Sequence, residues 1–377
     1  MLFIIYLLSA ISALLVYLLH RNMNYWKSRG IPQEPPHLIY GNVVGFRKTR
    51  VLNDLVIEYY NKFRKSGHPF VGFAFIQKQS AFIMDTKLAK NILIKDFANF
   101  ADRGQFHNEH NDPLTGHLFN LDGKRWREMR QKLSPTFTSG KMKFMFPTVI
   151  KVSEEFVEVM MENVPAKTGG AIIEIKDLMA RFTTDVSSTM TYALYELAQH
   201  TDIQDRLRED IQEVLQQHDG KLTYECVKAM RYLDQVISET LRLYTLVPFL
   251  ERKALNDYVV PGHPKYVIEK GTQIILPAAA YHRDEDLYPE PEKFDPERFS
   301  PEQVAARDSV EWLPFGDGPR NCVGMRFGQM QTRIGLAQLL RNFKFTVCDK
   351  TDIPLIYDPK SLIIGTIGGI YLRVERV

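Results

Sequence analysis

The residues with the most chemical content lie in the run Phe315-Gly-Asp-Gly-Pro-Arg-Asn-Cys322-Val-Gly324. It presents one sulfur on a loop that glycine allows to bend and proline stiffens. Gly316 and Gly318 can take positive φ, and Pro319 holds one φ fixed, so the loop can keep a defined shape around Cys322. Beyond it, Met325, Phe327, Met330, Ile334, Ala337 and Leu340 recur at roughly helical spacing. The sulfur therefore stands near a predicted helix N-terminus, where the macrodipole favours thiolate over thiol. A thiolate held this way suits a soft, electron-rich bond to haem iron. An inert cysteine in a tight turn is the competing reading of a lone thiol.

Three further groups could act with it. Glu239 and Arg242 are three residues apart in a segment of helical pattern, Tyr232 to Tyr244, so carboxylate and guanidinium share one face. Trp126 and Arg130, four apart, also share a face and offer an indole N–H and a guanidinium to an acceptor. His107, His110 and His117 occur in the polar stretch Asp102–Leu121. Their spacing fits no strict metal-ligand pattern, and solvated loop histidines are expected.

The cysteine run resembles the haem-binding loop of the cytochrome P-450 family, and other segments agree with it. Glu239-Thr-Leu-Arg242 looks like the family's Glu-x-x-Arg pair, Pro296-Glu-Arg298-Phe follows where the family places it, and Trp126-Arg-Glu-Met-Arg130 is similar to its C-helix signature. The resemblance implies a mainly α fold with small β-sheets and haem b bound through Cys322 as axial ligand. It implies that Arg103, Trp126, Arg130, Arg252 and Arg320 hold the haem propionates. Two carboxylates entering an apolar pocket need such donors, or their desolvation would oppose binding. Glu239, Arg242 and Arg298 are expected to form a structural ionic network on the thiolate side. Within the family, the chain looks most like the insect microsomal detoxifying type. That implies insertion of one oxygen atom from O2 into apolar small molecules, with electrons from NADPH passed by a flavoprotein reductase and cytochrome b5 as a further donor.

The elements that must position these groups are legible in outline. A chain of 377 residues, 45% hydrophobic, can bury a large core. Lys+Arg 48 against Asp+Glu 45 is nearly balanced and offers no case for nucleic acid. Lys124, Arg125, Arg127 and Lys132 cluster around Trp126. They read either as a solvated helix face or, as the resemblance implies, as a docking patch for an acidic electron donor. Three cysteines suggest a reducing compartment rather than a disulfide framework. Strand-like runs are predicted at Phe70–Phe75 and Ala81–Met84, and extended segments around Val259, Val267 and Ile275. Helices are predicted at Lys87–Asp96, Gly123–Thr136, Lys141–Asn163, Asp202–Gln217 and Thr223–Tyr244. Proline-rich coil spans Tyr288–Pro301, and Phe343–Cys348 with Leu362–Val374 reads as a closing hairpin.

Residues 1–20 read as a transmembrane anchor. Leu2 to Leu19 carries no charge, and as a helix it would span about 27 Å, close to one hydrocarbon core. His20, Arg21, Lys27 and Arg29 follow it, which by the positive-inside rule puts the remainder on the cytoplasmic side. A basic, proline-rich hinge is expected over 21–36, and a catalytic domain over 37–377. The resemblance implies the endoplasmic reticulum membrane.

One departure from the family pattern stands in the middle. Asp177–Val186 resembles the start of the family's E helix, and Ser187–Ala198 the C-terminal half of its I helix; here they are joined directly. The intervening F–G region and the first half of the I helix, which roof the pocket and carry an acid–alcohol pair, are missing. Asp185 and Val186 occupy the pair's positions, and Val186 has no hydroxyl to relay a proton. Thr183, Thr184 and Ser187 are the nearest hydroxyls. One merged helix is expected over Glu174–Gln199, where neither Gly nor Pro occurs. An inactive membrane-anchored remnant, and isomerase-type chemistry on peroxides, are the alternatives this departure raises. The remaining candidates for pocket walls are Asp102–Leu121, Thr245–Leu250 and the Gly365–Gly369 turn. Thr245 stands where the family usually carries a proline.

Overall fold

A computed structural model describes residues 2–166, 169–182, 186–361 and 363–377. The chain opens with α1 (Leu2–Met23), an apolar helix of 22 residues that buries none of its side chains. By length and composition it could cross a membrane. The segment expected as a hinge is seated on the domain rather than free. Trp26 is buried, the Gly72 N–H donates to the Pro32 carbonyl at 2.8 Å, and Arg29 pairs with Glu269 at 2.9 Å.

Two cores flank the cysteine loop. The first is built on a four-stranded sheet whose strands are β1 (Phe70–Phe75), β2 (Lys78–Ile83), β4 (Leu250–Lys253) and β7 (Gln273–Leu276), in the order β1-β2-β7-β4. β2 and β7 run parallel and the outer pairs antiparallel. Val71, Phe82 and Ile275 are buried in this sheet, and α2 (Leu52–Phe63), α3 (Thr86–Lys90) and α11 (Ala278–Tyr281) cover it. β5 (Tyr258–Val259) and β6 (Val267–Ile268) form a separate two-stranded ribbon.

The second core is helical. It gathers α5 (Ser139–Asn163), α7 (Ser187–Gln199), α8 (Thr201–Gln216), α9 (Tyr224–Ala229), α10 (Arg231–Leu243) and α13 (Met325–Asn342). A three-stranded sheet closes it, in the order β3 (Ala171–Glu174), β9 (Tyr371–Arg376) and β8 (Phe343–Thr346). Outside the cores lie α4 (Gly123–Leu133) and α12 (Pro301–Ala306). The mainly helical class with small sheets is therefore as expected.

Several boundaries differ from the sequence reading. The helix expected over Thr223–Tyr244 breaks at Met230, whose ψ of 78° is not helical. The helix after Thr86 passes at Asn91–Lys95 into a wider π-type turn. The closing hairpin begins its return strand at Tyr371 and gains β3 as a third strand. Residues 183–185, in the middle of the expected merged helix, lie outside the described residues, and no helix begins at Glu174. That residue ends β3, and its carboxylate accepts from the N–H groups of Lys176 at 3.1 Å, Asp177 at 2.5 Å and Ile370 at 2.8 Å. It thus caps α6 (Ile175–Phe182) and ties it to the strand beside it. Val186, with ψ of −14°, precedes α7.

Candidate functional site

Cys322 lies three residues before α13, on a loop that packs between the two cores. Its N–H donates to the Phe315 carbonyl at 2.8 Å and closes the loop on itself. Cys322 is exposed. Gly316 and Gly318 both take positive φ, 68° and 69°, as the loop chemistry requires. Gly318 is fixed twice over, because a Cβ there would stand 2.0 Å from the Leu93 carbonyl oxygen. Gly318→Ala is therefore expected to cost more than about 2 kcal/mol in unfolding free energy, through overpacking and the strained φ together. Denaturant titration would measure it, and a change below about 0.5 kcal/mol would contradict this packing.

Beside the loop, arginines from distant parts of the chain converge. Arg252 on β4 and Arg320 in the cysteine run are buried, at 1% and 2% exposure. Arg103 Nη2 donates to the Arg320 carbonyl at 3.1 Å and Nη1 to the Phe119 carbonyl at 3.1 Å. Arg320 Nη2 donates to the Leu121 carbonyl at 2.7 Å and pairs with Asp122 at 3.3 Å, and its guanidinium lies 4.3 Å over the Trp126 ring. Burial, and then the Arg103 and Arg320 charges, push Arg252 down to about 9. Burial and then Arg320 push Arg103 down to about 10. Among the described residues, Arg252 Nε, Arg320 Nε and Arg320 Nη1 are buried donors with no hydrogen-bond partner. Unpaired buried donors on mutually repelling cations are costly, so this arrangement calls for anionic acceptors.

Arg130 points instead at the cysteine loop, donating from Nη1 to the Asn321 carbonyl and from Nη2 to Asn321 Oδ1, both at 2.7 Å. The sequence reading missed this partnership, which the fixed spacing of Trp126 and Arg130 could not reveal. Trp126 is buried and its ring contacts Phe97 as well as Arg320. Among the described residues, the three loop histidines bond to near neighbours in the loop, and no group of His, Cys, Asp or Glu is disposed to hold a metal ion. Lys124, Arg125, Arg127 and Lys132 are all exposed. Lys124 pairs with Glu128 at 3.7 Å, and Arg125 forms a short ion pair with Glu109.

The brace behind the loop is built on the Glu239–Arg242 pair, and Arg298 Nε at its edge has no hydrogen-bond partner among the described residues. Glu239 and Arg242 are fully buried, and Arg242 Nε and Nη2 bond the two carboxylate oxygens at 2.7 and 2.8 Å. Arg242 also donates to the carbonyls of His282 at 2.8 Å, Pro291 at 2.7 Å and Lys293 at 3.2 Å. Arg298 Nε approaches Glu239 at 3.5 Å. This is the three-residue network the sequence suggested.

His282 sits against this network and is fully buried. Burial, then the charges of Arg242, Arg283 and Arg307, push its pKa from 6.5 down to about 3. The ring is thus neutral in the folded chain, while the unfolded chain binds a proton below about pH 6.5. Its contribution to stability is fully present above that pH and is lost as pH falls toward 3, by up to about 1.4 kcal/mol per unit. Burial raises the carboxyls of Glu196, Glu251 and Asp234, which opposes the slope. The expected result is a flatter loss of stability between pH 6.5 and 4.5 in His282→Asn than in the unaltered chain. Equal slopes would contradict the assignment.

On the other side of the junction, Val186 is buried. Its Cγ2 would lie 3.7 Å from a Cβ at Gly328, six residues beyond Cys322. Thr183, Thr184 and Asp185, considered above as proton donors, lie outside the described residues. Ser187 is buried at the start of α7, and its carbonyl accepts from Thr191 Oγ1 at 2.7 Å.

A thiol on a glycine-bent loop at a helix N-terminus, a buried set of cations with orphaned donors, and a buried ionic brace define the haem-thiolate class of protein. The donors suit two carboxylates, and the thiol would suit a soft bond to haem iron. The comparisons agree. The sequence profile described as "Cytochrome P450" matches residues 31–188 and 186–373, two pieces that meet at the Val186–Ser188 junction. The chain is 55% identical over 503 aligned positions to "Cytochrome P450 6a2" of Drosophila melanogaster, covering 99% of each chain. It is 43% identical to "Cytochrome P450 6a8" of the same species, covering 98% of each. It is 38% identical to "Cytochrome P450 6A1" of Musca domestica, covering 100% of this chain and 98% of the relative. The chain belongs to the cytochrome P450 family, of the insect type, and is a haem-thiolate monooxygenase. The 503 positions of the first alignment exceed the 377 residues here, so that relative carries a long stretch with no counterpart in this chain.

Proposed function

We propose that the chain uses haem b, held through Cys322, to insert one oxygen atom from O2 into apolar small molecules. Electrons would come from NADPH through a flavoprotein reductase, with cytochrome b5 as a second donor. The observation that carries the reading is the set of unpartnered donors on buried Arg252 and Arg320 beside the Cys322 loop. Bound haem supplies the activation of dioxygen. The chain's own residues do the rest. Arg103, Arg252 and Arg320 would neutralise two propionates, and Arg252 and Arg320 would thereby fill their unmet hydrogen bonds. Trp126 stacks against Arg320 and keeps water from that end. Arg130 holds the Asn321 carbonyl and side chain, and so orients the peptide that precedes the sulfur. Glu239, Arg242 and Arg298 keep the loop's supporting wall rigid.

α1 would anchor the chain in the endoplasmic reticulum membrane with residues 37–377 on the cytoplasmic face. The exposed cations around Trp126 would receive the acidic donor protein. We further read the chain as lacking the F–G region and the first half of the I helix, a view supported by the two abutting profile matches. With Val186 in the place of a hydroxyl, proton delivery would be poor and part of the electron flow would leave as hydrogen peroxide.

The test is the reduced, carbon-monoxide-bound difference spectrum of the detergent-solubilised chain, followed by NADPH oxidation with purified reductase. A red-shifted Soret band and NADPH-dependent product support the reading. A blue-shifted band, or none, overturns it. Arg320→Ala is expected to weaken haem retention by about 10- to 100-fold, the worth of a charge-assisted bond. Transfer of haem to apomyoglobin would measure this, and an unchanged rate would remove Arg320 from the propionate set.

A further inference from the structure

We propose that Thr245 and His282 are positioning residues for Cys322, forming a strut of fixed hydrogen-bond direction between the end of α10 and the segment that enters the cysteine loop. The inference rests on Cys322 being the axial ligand, and it gives Thr245, which replaces the family's usual proline, a purpose.

The direction follows from donors that have no choice. The Leu313 N–H can only donate, and it meets His282 Nε2 at 2.8 Å. Nε2 must therefore accept, and in the neutral ring the proton sits on Nδ1. Nδ1 lies 2.7 Å from Thr245 Oγ1, so the hydroxyl oxygen accepts there. Its own proton goes to the Arg242 carbonyl at 2.9 Å. The His282 carbonyl in turn accepts from Arg242 Nη1 at 2.8 Å. Every bond in this ring has one permitted sense, and both Thr245 and His282 are buried, at 2% and 0% exposure.

The far end of the strut reaches the sulfur in two further steps. The Leu313 carbonyl accepts from the Gly316 N–H at 3.1 Å, and the Phe315 carbonyl accepts from the Cys322 N–H at 2.8 Å. A proline at 245 would offer no acceptor to Nδ1–H. The ring would then be left with a buried unpaired donor, or would adopt the other tautomer and lose Leu313. The hydroxyl at 245 thus selects the tautomer that holds the loop entrance.

The experiment uses the full chain in detergent with ring-15N-labelled histidine. One histidine is expected with a protonated Nδ1, an unprotonated Nε2 and no titration over roughly pH 5 to 8. Thr245→Val is expected to speed exchange of the Leu313 amide about tenfold, and to lower the fraction of protein giving the red-shifted thiolate band severalfold. Thr245→Ser, which keeps the hydroxyl, is expected to restore both. If no histidine shows that tautomer, or if Thr245→Val leaves exchange and band unchanged, the proposal is overturned. Should the valine variant not fold, the tautomer in the unaltered chain and the behaviour of Thr245→Ser still decide. If Cys322 is not the ligand, the unaltered chain lacks the red-shifted band, while the tautomer and amide readouts remain as described.

Discussion

Cys322→Ser is expected to abolish the red-shifted band of the reduced, carbon-monoxide-bound protein and to lower turnover on the order of 10³- to 10⁶-fold, as loss of a single essential group does. The serine hydroxyl is nearly isosteric and can keep the Phe315 hydrogen bond, because that bond uses the backbone N–H at 322. The fold and the arginine cluster should therefore survive, and haem can still be retained by its propionates. What would be lost is the soft sulfur donor that the proposed function assigns to haem iron, for which a harder alcohol oxygen is a poor substitute. Cys348→Ser is the control. That thiol is only partly exposed, lies just beyond β8, donates to the Tyr371 carbonyl and accepts from Thr351 Oγ1, so band and turnover should be unchanged. A serine variant that kept the red-shifted band would remove Cys322 from the role assigned to it.

The second large effect concerns the brace. Glu239→Ala or Arg242→Ala is expected to cost about 3–5 kcal/mol, because each leaves an uncompensated charge where both side chains are fully buried. Against a total stability of roughly 5–15 kcal/mol, that is enough to leave much of the chain unfolded at 37 °C. The two changes should not add. Removing both charges together should cost less than the sum of the single costs, since neither charge is then stranded. It should not be neutral either. The carbonyls of His282, Pro291 and Lys293 lose their donor with Arg242, and the Asp295 N–H loses the Glu239 oxygen that accepts it at 2.9 Å. Arg242→Lys should fall between, because one ammonium cannot reproduce a planar fork with bonds in three directions. Chemical denaturation of the four variants measures all of this. Strict additivity, or single costs near 1 kcal/mol, would show the pair to be a surface-like contact.

Cys322, Gly316, Gly318 and Pro319 were legible because a loop around a sulfur has requirements confined to ten residues: positive φ, one locked φ and a helix to follow. The Glu239–Arg242 pair was legible for a similar reason, as spacing of three within a helix dictates a shared face. The apolar run of α1 and the mainly helical class came from patterns equally local. All of these are properties of neighbours in the chain, and the sequence by itself determined them.

Only the tertiary structure decided the rest. Arg103, Arg252 and Arg320 meet because β4 and the cysteine loop are brought together across the seam of two cores, and no local pattern encodes that approach. Glu174 ends a strand and not a helix because β3 pairs with β9 and its carboxylate also accepts from Ile370, 196 residues away, contacts that override helix propensity. Arg130 turned to Asn321, 191 positions away, since the nearest acceptor is a matter of packing. Thr245 was visible in the sequence only as a departure from pattern. Its partner His282 is 37 residues away, and a hydrogen bond gains a direction only when both ends are buried and each has one donor or acceptor to give.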